Sequence, residues 1–202
     1  MKRKYFALTI FLAVLSVSSA EAGLFNQLNF AVGEFGGGTG VGTLTNPDGS
    51  LANYNLLGLQ GVARLPVFGN HKDFAEFGVM ATMHYYSLTN SAKISGETES
   101  GFFLGPGAGA YLRIWKFVVG AEEDLLWARH YATGRSSLVL NYTMYETKVF
   151  AGIRLRVIDR FGVSLMGSVG SGVVPKDSTG LSASSPYQDQ MIFLTVTYTP
   201  GI

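Results

Sequence analysis

The sequence predicts an all-β protein: an eight-stranded antiparallel up-and-down transmembrane β-barrel, preceded by a cleaved signal peptide. Three observations predict it. The N-terminus has the layout of an export signal, eight segments alternate apolar residues with other residues, and the connections alternate between long and short. Composition agrees with this. Gly is 26 of 202 residues, aromatics are 13% and charged residues 14%, richer in Gly and poorer in charge than an average soluble domain. Beyond the N-terminus no run approaches the roughly 18 consecutive apolar residues that a spanning helix needs. Mild hydrophobicity without such a helix suits strands that face lipid on one side and a polar interior on the other.

Residues 1–22 read as the signal peptide and residues 23–202 as one barrel domain. Lys2, Arg3 and Lys4 form the positive start, Tyr5 to Val17 the apolar core, and Ala20, Glu21 and Ala22 the small-residue exit that a signal peptidase reads. Cleavage before Gly23 is expected, with cleavage after Ala20 as the alternative; the core is too short for a permanent membrane helix. Removal leaves 12 Lys and Arg against 13 Asp and Glu, a net charge near −1 that gives no reason to expect a nucleic-acid partner. There is no Cys. Its absence excludes disulfides, thiolate metal sites, thiol catalysis and a lipid-anchored mature start.

Four of the strands are plain in the alternation. In residues 76–86, Phe77, Val79, Ala81, Met83 and Tyr85 share one face, and Glu76, Gly78, Met80, Thr82 and His84 the other. In 146–157, Val149, Ala151, Ile153, Leu155 and Val157 alternate with Lys148, Phe150, Gly152, Arg154 and Arg156. Phe161, Val163, Leu165 and Val169 alternate with Gly162, Ser164, Met166, Ser168 and Gly170, and Ile192, Leu194, Val196 and Tyr198 line one face of the last strand. Looser strands are expected at 25–35, 54–65, 102–113 and 116–131. Long polar joins are expected at 36–53, 87–101, 132–137 and 172–190, and short ones at 66–73, 113–116 and 158–160. This is the rhythm of barrels with long outside loops and short periplasmic turns, and it puts both termini in the periplasm. Two aromatic bands are expected at the membrane interfaces: Tyr54, Tyr85, Tyr86, Phe102, Trp127, Tyr131, Tyr142 and Tyr187 near the long loops, and Phe25, Phe74, Tyr111, Trp115, Phe117, Phe161 and Tyr198 near the short turns.

On these features the chain resembles the small OmpA/OmpX-like outer-membrane barrels over its whole mature length. The resemblance implies an outer-membrane location, porin-like architecture, and a role in membrane integrity, adhesion or surface interaction, with lipid modification in some members. It also implies outer-membrane lipid, lipopolysaccharide and the barrel-assembly machinery as partners. Such barrels usually end on an aromatic residue, whereas this chain ends TVTYTPGI, with Tyr198 its last aromatic.

The non-apolar parity, turned inward, places Arg64, Glu76, Arg113, Glu122, Asp124, Glu146, Lys148, Arg154 and Arg156 in the lumen, five positive against four negative. An eight-stranded interior is just wide enough for side chains to fill it. Paired charges would form a plug there, with Glu76 expected to bridge Arg64 and Arg113; the alternative is a charged conduction path. Inward Gly58, Gly78, Gly105, Gly107, Gly109, Gly120, Gly152, Gly162 and Gly170 leave room for long side chains.

No catalytic, cofactor or metal site is expected. His84 and Ser87 are similar to the His-x-Ser of an outer-membrane lipid A deacylase, but a separation of three residues puts them on opposite faces of a strand. The run Glu122, Glu123, Asp124 alternates faces and lacks the glycine turn of a calcium loop. The 105–110 segment GPGAGA lacks the strand-then-helix setting of a phosphate loop. The function expected first is therefore a plugged barrel with a structural or surface-interaction role through four extracellular loops. A narrow solute channel, a lipid-modifying enzyme and a soluble periplasmic ligand carrier are the alternatives, and the loops do not name a ligand.

Overall fold

A computed structural model describes residues 31–45, 51–69, 73–90, 98–133, 138–158, 160–174 and 184–199. The expected signal peptide, residues 1–22, lies outside the described residues, as do Phe25 and most of the first strand expected at 25–35. The strands are β1 (Val32–Thr45), β2 (Leu51–Phe68), β3 (Ala75–Asn90), β4 (Thr98–Ile114), β5 (Phe117–Thr133), β6 (Leu138–Ile158), β7 (Phe161–Val174) and β8 (Ser185–Tyr198). Each pairs with its sequence neighbours, and β1 closes on β8 to complete the barrel, so none of the described strands is a sheet edge.

The register sets the dimensions. Following cross-strand partners from Glu34 through Val62, Thr82, Gly107, Asp124, Glu146, Gly172 and Tyr187 returns to Leu44, ten residues along β1 from the start. A shear of ten over eight strands corresponds to a strand tilt of about 41° and a backbone radius of about 8 Å at ordinary strand spacing. At that tilt about 10 residues cross a 25 Å apolar band. The strands run from 14 to 21 residues, so they continue past such a band.

That length explains where the strand bounds differ from expectation. Residues 36–45 and 51–53, expected in a long loop, belong to β1 and β2; β3 and β4 consume much of 87–101, and β7 and β8 much of 172–190. Polar and Gly-rich sequence reads as loop, but here it forms strand that needs no lipid-facing apolar side chains. At β1 the glycines have a packing reason. A Cβ at inward Gly38 or Gly40 would overlap the Phe193 ring or the Met191 sulfur, and one at Gly42 would crowd the Tyr187 ring. The strand carries no inward bulk there because β8 supplies it. At the opposite end, Trp115–Lys116 makes a tight turn between β4 and β5, with Trp115 in a left-handed conformation (φ 56°).

The two faces separate as the alternation predicts. Leu57, Val149, Ile192, Leu194 and Val196 point outward and are exposed, while their neighbours point into the lumen. Aromatic pairs ring the turn end on the outside: Phe68 with Phe77, Trp115 with Phe117, and Phe161 with Tyr198, at centroid distances of 6.4, 6.0 and 5.3 Å. Tyr85, stacked on Phe102 at 6.1 Å, and Trp127 mark the loop end. The expected bands need correction, however. Tyr54, Tyr86, Tyr111, Tyr142 and Tyr187 are buried in the lumen, because their parity is inward; the Tyr86, Tyr111 and Tyr142 hydroxyls find partners there. The Tyr131 side chain lies outside the described residues.

Candidate functional site

The lumen is layered, and strand position decides each layer. Toward the loop end lies an apolar and aromatic cap of Tyr54, Leu56, Tyr86, Leu88, Phe103, Leu126, Met144, Tyr187, Met191 and Phe193 with their neighbours. His130 is packed into this cap, sharing a 2.8 Å hydrogen bond between its Nε2 and the Tyr142 hydroxyl. Toward the turn end lies a smaller apolar group of Val62, Met80, Tyr111, Val118, Phe150 and Met166. Between the two sits a polar layer of His84, Glu122, Asp124, Glu146, Lys148 and Asp189, all buried.

Below the smaller apolar group, at the turn end, the charges pair off. Arg64 donates from Nε to Glu34 Oε1 at 3.0 Å and from its second amino group to Oε2 at 3.4 Å, a forked geometry. Arg154 donates to the same Glu34. The Arg64 guanidinium also lies over the Tyr111 and Phe150 rings, 5.1 and 5.2 Å from their centroids. Glu76, directly opposite Arg113 in the β3–β4 register, accepts from Arg113 Nε at 3.2 Å and from the Tyr111 hydroxyl. The remaining Arg113 donors bind the Trp115 and Asp73 carbonyls at 2.7 and 2.9 Å.

The middle layer is organised around one ammonium. Lys148 Nζ lies 3.0 Å from Asp124 Oδ2, 3.0 Å from Glu146 Oε2 and 2.9 Å from the Tyr86 hydroxyl. Tyr86 in turn shares a 2.8 Å hydrogen bond with His84 Nδ1. His84 Nε2 faces Glu122 Oε1 at 3.3 Å and Asp124 Oδ2 at 3.5 Å. These are groups from β3 and β5, two strands apart. They meet because Gly105, Gly107 and Gly109 leave the inner face of β4 without side chains, and a Cβ at Gly107 would overlap Asp124 Oδ1 and Thr82 Oγ1. Glu146 Oε1 and Asp189 Oδ1 converge likewise over Gly170.

Of the residues expected in the lumen, Arg64, Glu76, Arg113, Glu122, Asp124, Glu146 and Lys148 are buried, and Arg154 is half-buried at the turn end. Arg156 is exposed: it shares the inward parity but sits on the rim, where it lines a 240 Å³ vestibule with Lys116, Arg154 and Arg160. The expected Arg64–Glu76–Arg113 bridge is not formed. The carboxylate that joins two arginines is Glu34, which β1 brings beside β2 with Val32 opposite Arg64. Glu34, Asp189 and His84 were absent from the expected charge network, although each has inward parity in its strand. With them included, six lumen carboxylates face Arg64, Arg113, Lys148 and Arg154.

Space between the polar layer and the turn-end pairs is small. The cavity among Gln60, Arg64, Thr82, Lys148 and Phe150 measures about 20 Å³, room for about one water molecule. His84 points inward and Ser87 outward, so these two cannot share a proton across the strand.

No family model matches the chain, and no curated protein matches it in sequence. Solved structures do match it in shape. Neisserial surface protein A superposes with a TM-score of 0.54 at 12% identity, covering 84% of this chain and 96% of its own. Ail, the attachment invasion locus protein of Yersinia pestis, superposes with a TM-score of 0.51 at 12% identity, covering 82% and 99%. Its complex with the heparin analogue sucrose octasulfate gives 0.50 at 11% identity over the same shares. Sequence identity this low carries the fold alone: the chain is an eight-stranded antiparallel up-and-down barrel, the fold that its resemblance to the OmpA/OmpX-like barrels implies.

Proposed function

We propose that this chain is an outer-membrane barrel whose lumen is closed by its own side chains, and that it serves a structural or surface-interaction role. The four connections at its loop end, residues 46–50, 91–97, 134–137 and 175–184, would meet the outside. The observation that carries the reading is the division of faces: an apolar, aromatic-bounded exterior around an interior of paired charges and two apolar layers. An exterior with so many exposed large apolar side chains suits lipid and would associate in water. A soluble ligand carrier would need the reverse parity. Outer-membrane lipid, lipopolysaccharide and the assembly machinery are the partners this reading requires.

The test is fractionation of cells expressing the protein. Flotation with the outer membrane, resistance to carbonate extraction, and a gel shift on boiling are expected; recovery in the soluble periplasm would remove the proposal. A narrow solute channel is the second reading, favoured by the cation-rich vestibule at the turn end. Conductance separates it from the plug.

A further inference from the structure

We propose that His84, Glu122 and Asp124 form a binding site for a divalent first-row transition cation that ties β3 to β5 inside the barrel. Their ligand atoms all lie within 4.8 Å of one another. His84 Nε2 stands 3.3 Å from Glu122 Oε1 and 3.5 Å from Asp124 Oδ2. Two donors bound at ordinary zinc distances in a tetrahedral site are about 3.4 Å apart, so each carboxylate already stands at ligand spacing from the imidazole.

A second observation points to a ligand independently of the cluster. His84 is 1% exposed, and its Nε2 meets the two carboxylates only through the 3.3 and 3.5 Å contacts, without hydrogen-bond geometry; Glu122 Oε2, Asp124 Oδ1 and the neighbouring Thr82 Oγ1 are buried with no partner. Buried polar atoms are nearly always satisfied, and three that are not, gathered beside a poorly aligned imidazole, leave room for a ligand. Charge asks for the same thing. Among the described residues, Glu122, Asp124, Glu146 and Asp189 share the layer with one ammonium, that of Lys148, and with the His84 imidazole. Apolar layers close it on both sides, so bulk counterions do not reach it freely.

The surroundings suit the role. Tyr86 holds the far ring nitrogen of His84, the kind of outer contact that orients a metal-binding imidazole. Lys148 shares Asp124 Oδ2 with His84 and pairs with Glu146, while Asp124 Oδ1 is unpartnered, so the Asp124 carboxylate can bind an ion and keep its ammonium contact. One imidazole with two carboxylates and no thiolate fits zinc, manganese or ferrous iron and offers too few oxygens for calcium. Because the layer is buried, the ion would enter as the barrel closes.

The experiment refolds the chain from urea into detergent micelles with Zn²⁺ present, strips loose metal with a chelator, and counts what remains by mass spectrometry. About one Zn²⁺ per barrel is expected. His84→Gln and Glu122→Gln should each lower retention by more than about tenfold, since even outer-contact losses reach that size. Glu123→Gln, on the outward face of the same strand, should retain the ion. A folded wild type, identified by its gel shift, that keeps no Zn²⁺ overturns the proposal and leaves protons to neutralise the layer. Unchanged retention in folded His84→Gln and Glu122→Gln also overturns it. If those variants do not fold, X-ray absorption on the Zn²⁺-loaded His71→Asn/His130→Asn chain, where His84 is the sole histidine, reads the ligand directly. An imidazole signature supports the site, and oxygen donors alone refute it.

Discussion

The two charged levels of the lumen use the same residue types and reach opposite balances. At the turn end three arginines meet two carboxylates, and each carboxylate is forked, shared or joined by a hydroxyl. In the middle, four carboxylates gather around Lys148, with His84 at the margin. The first level also has backbone carbonyls and an open rim to fall back on; the second is closed in by apolar side chains. Removing one member of a buried pair is far more destabilising than the pair was stabilising, because the remaining charge is stranded. The levels should therefore respond differently to the loss of one charge.

The largest effect is expected at Lys148. Lys148→Met leaves the middle carboxylates without their ammonium and should lower stability by about 3 to 5 kcal/mol, read from the urea midpoint in micelles. Next comes Glu34→Ala, which sets Arg64 and Arg154 against each other. Its loss should be about 3 kcal/mol. Glu76→Ala should cost only about 1 to 2 kcal/mol, since Arg113 keeps the Trp115 and Asp73 carbonyls. Equal midpoints for the Glu34 and Glu76 variants would break the claim that Glu34 is the shared carboxylate. The smallest effect is expected at Gly107→Ala. The added methyl pushes aside Asp124 and Thr82, at about 1 kcal/mol, the low end of overpacking, because a carboxylate can swing away.

Much of this was legible in the chain. Alternation in β3, β6, β7 and β8 assigned the faces, and folding the fourth strand back across the long 87–101 join put Arg113 beside Glu76, as the β3–β4 register has it. What stayed hidden has particular causes. β1 is so rich in Gly that its inward parity carries almost no apolar signal, so Glu34 was not assigned to the lumen and Arg64 received the wrong partner. Asp189 stands in a polar stretch that resembles a loop, yet it is a β8 position paired with Gly170. The meeting of His84 with Glu122 and Asp124 crosses a whole strand. Pairwise alternation cannot show such a contact. The available sign was the repeat of Gly105, Gly107 and Gly109, which marks an inner face left clear for neighbours on both sides.

On the proposed function, these layers close the barrel. Recording from planar bilayers containing the purified, refolded protein tests it most directly. The layered lumen predicts a flat trace, without resolvable conductance steps, for the wild type and for Glu123→Gln. Regular, stable openings in the wild type would contradict it and make the charged interior a conduction path.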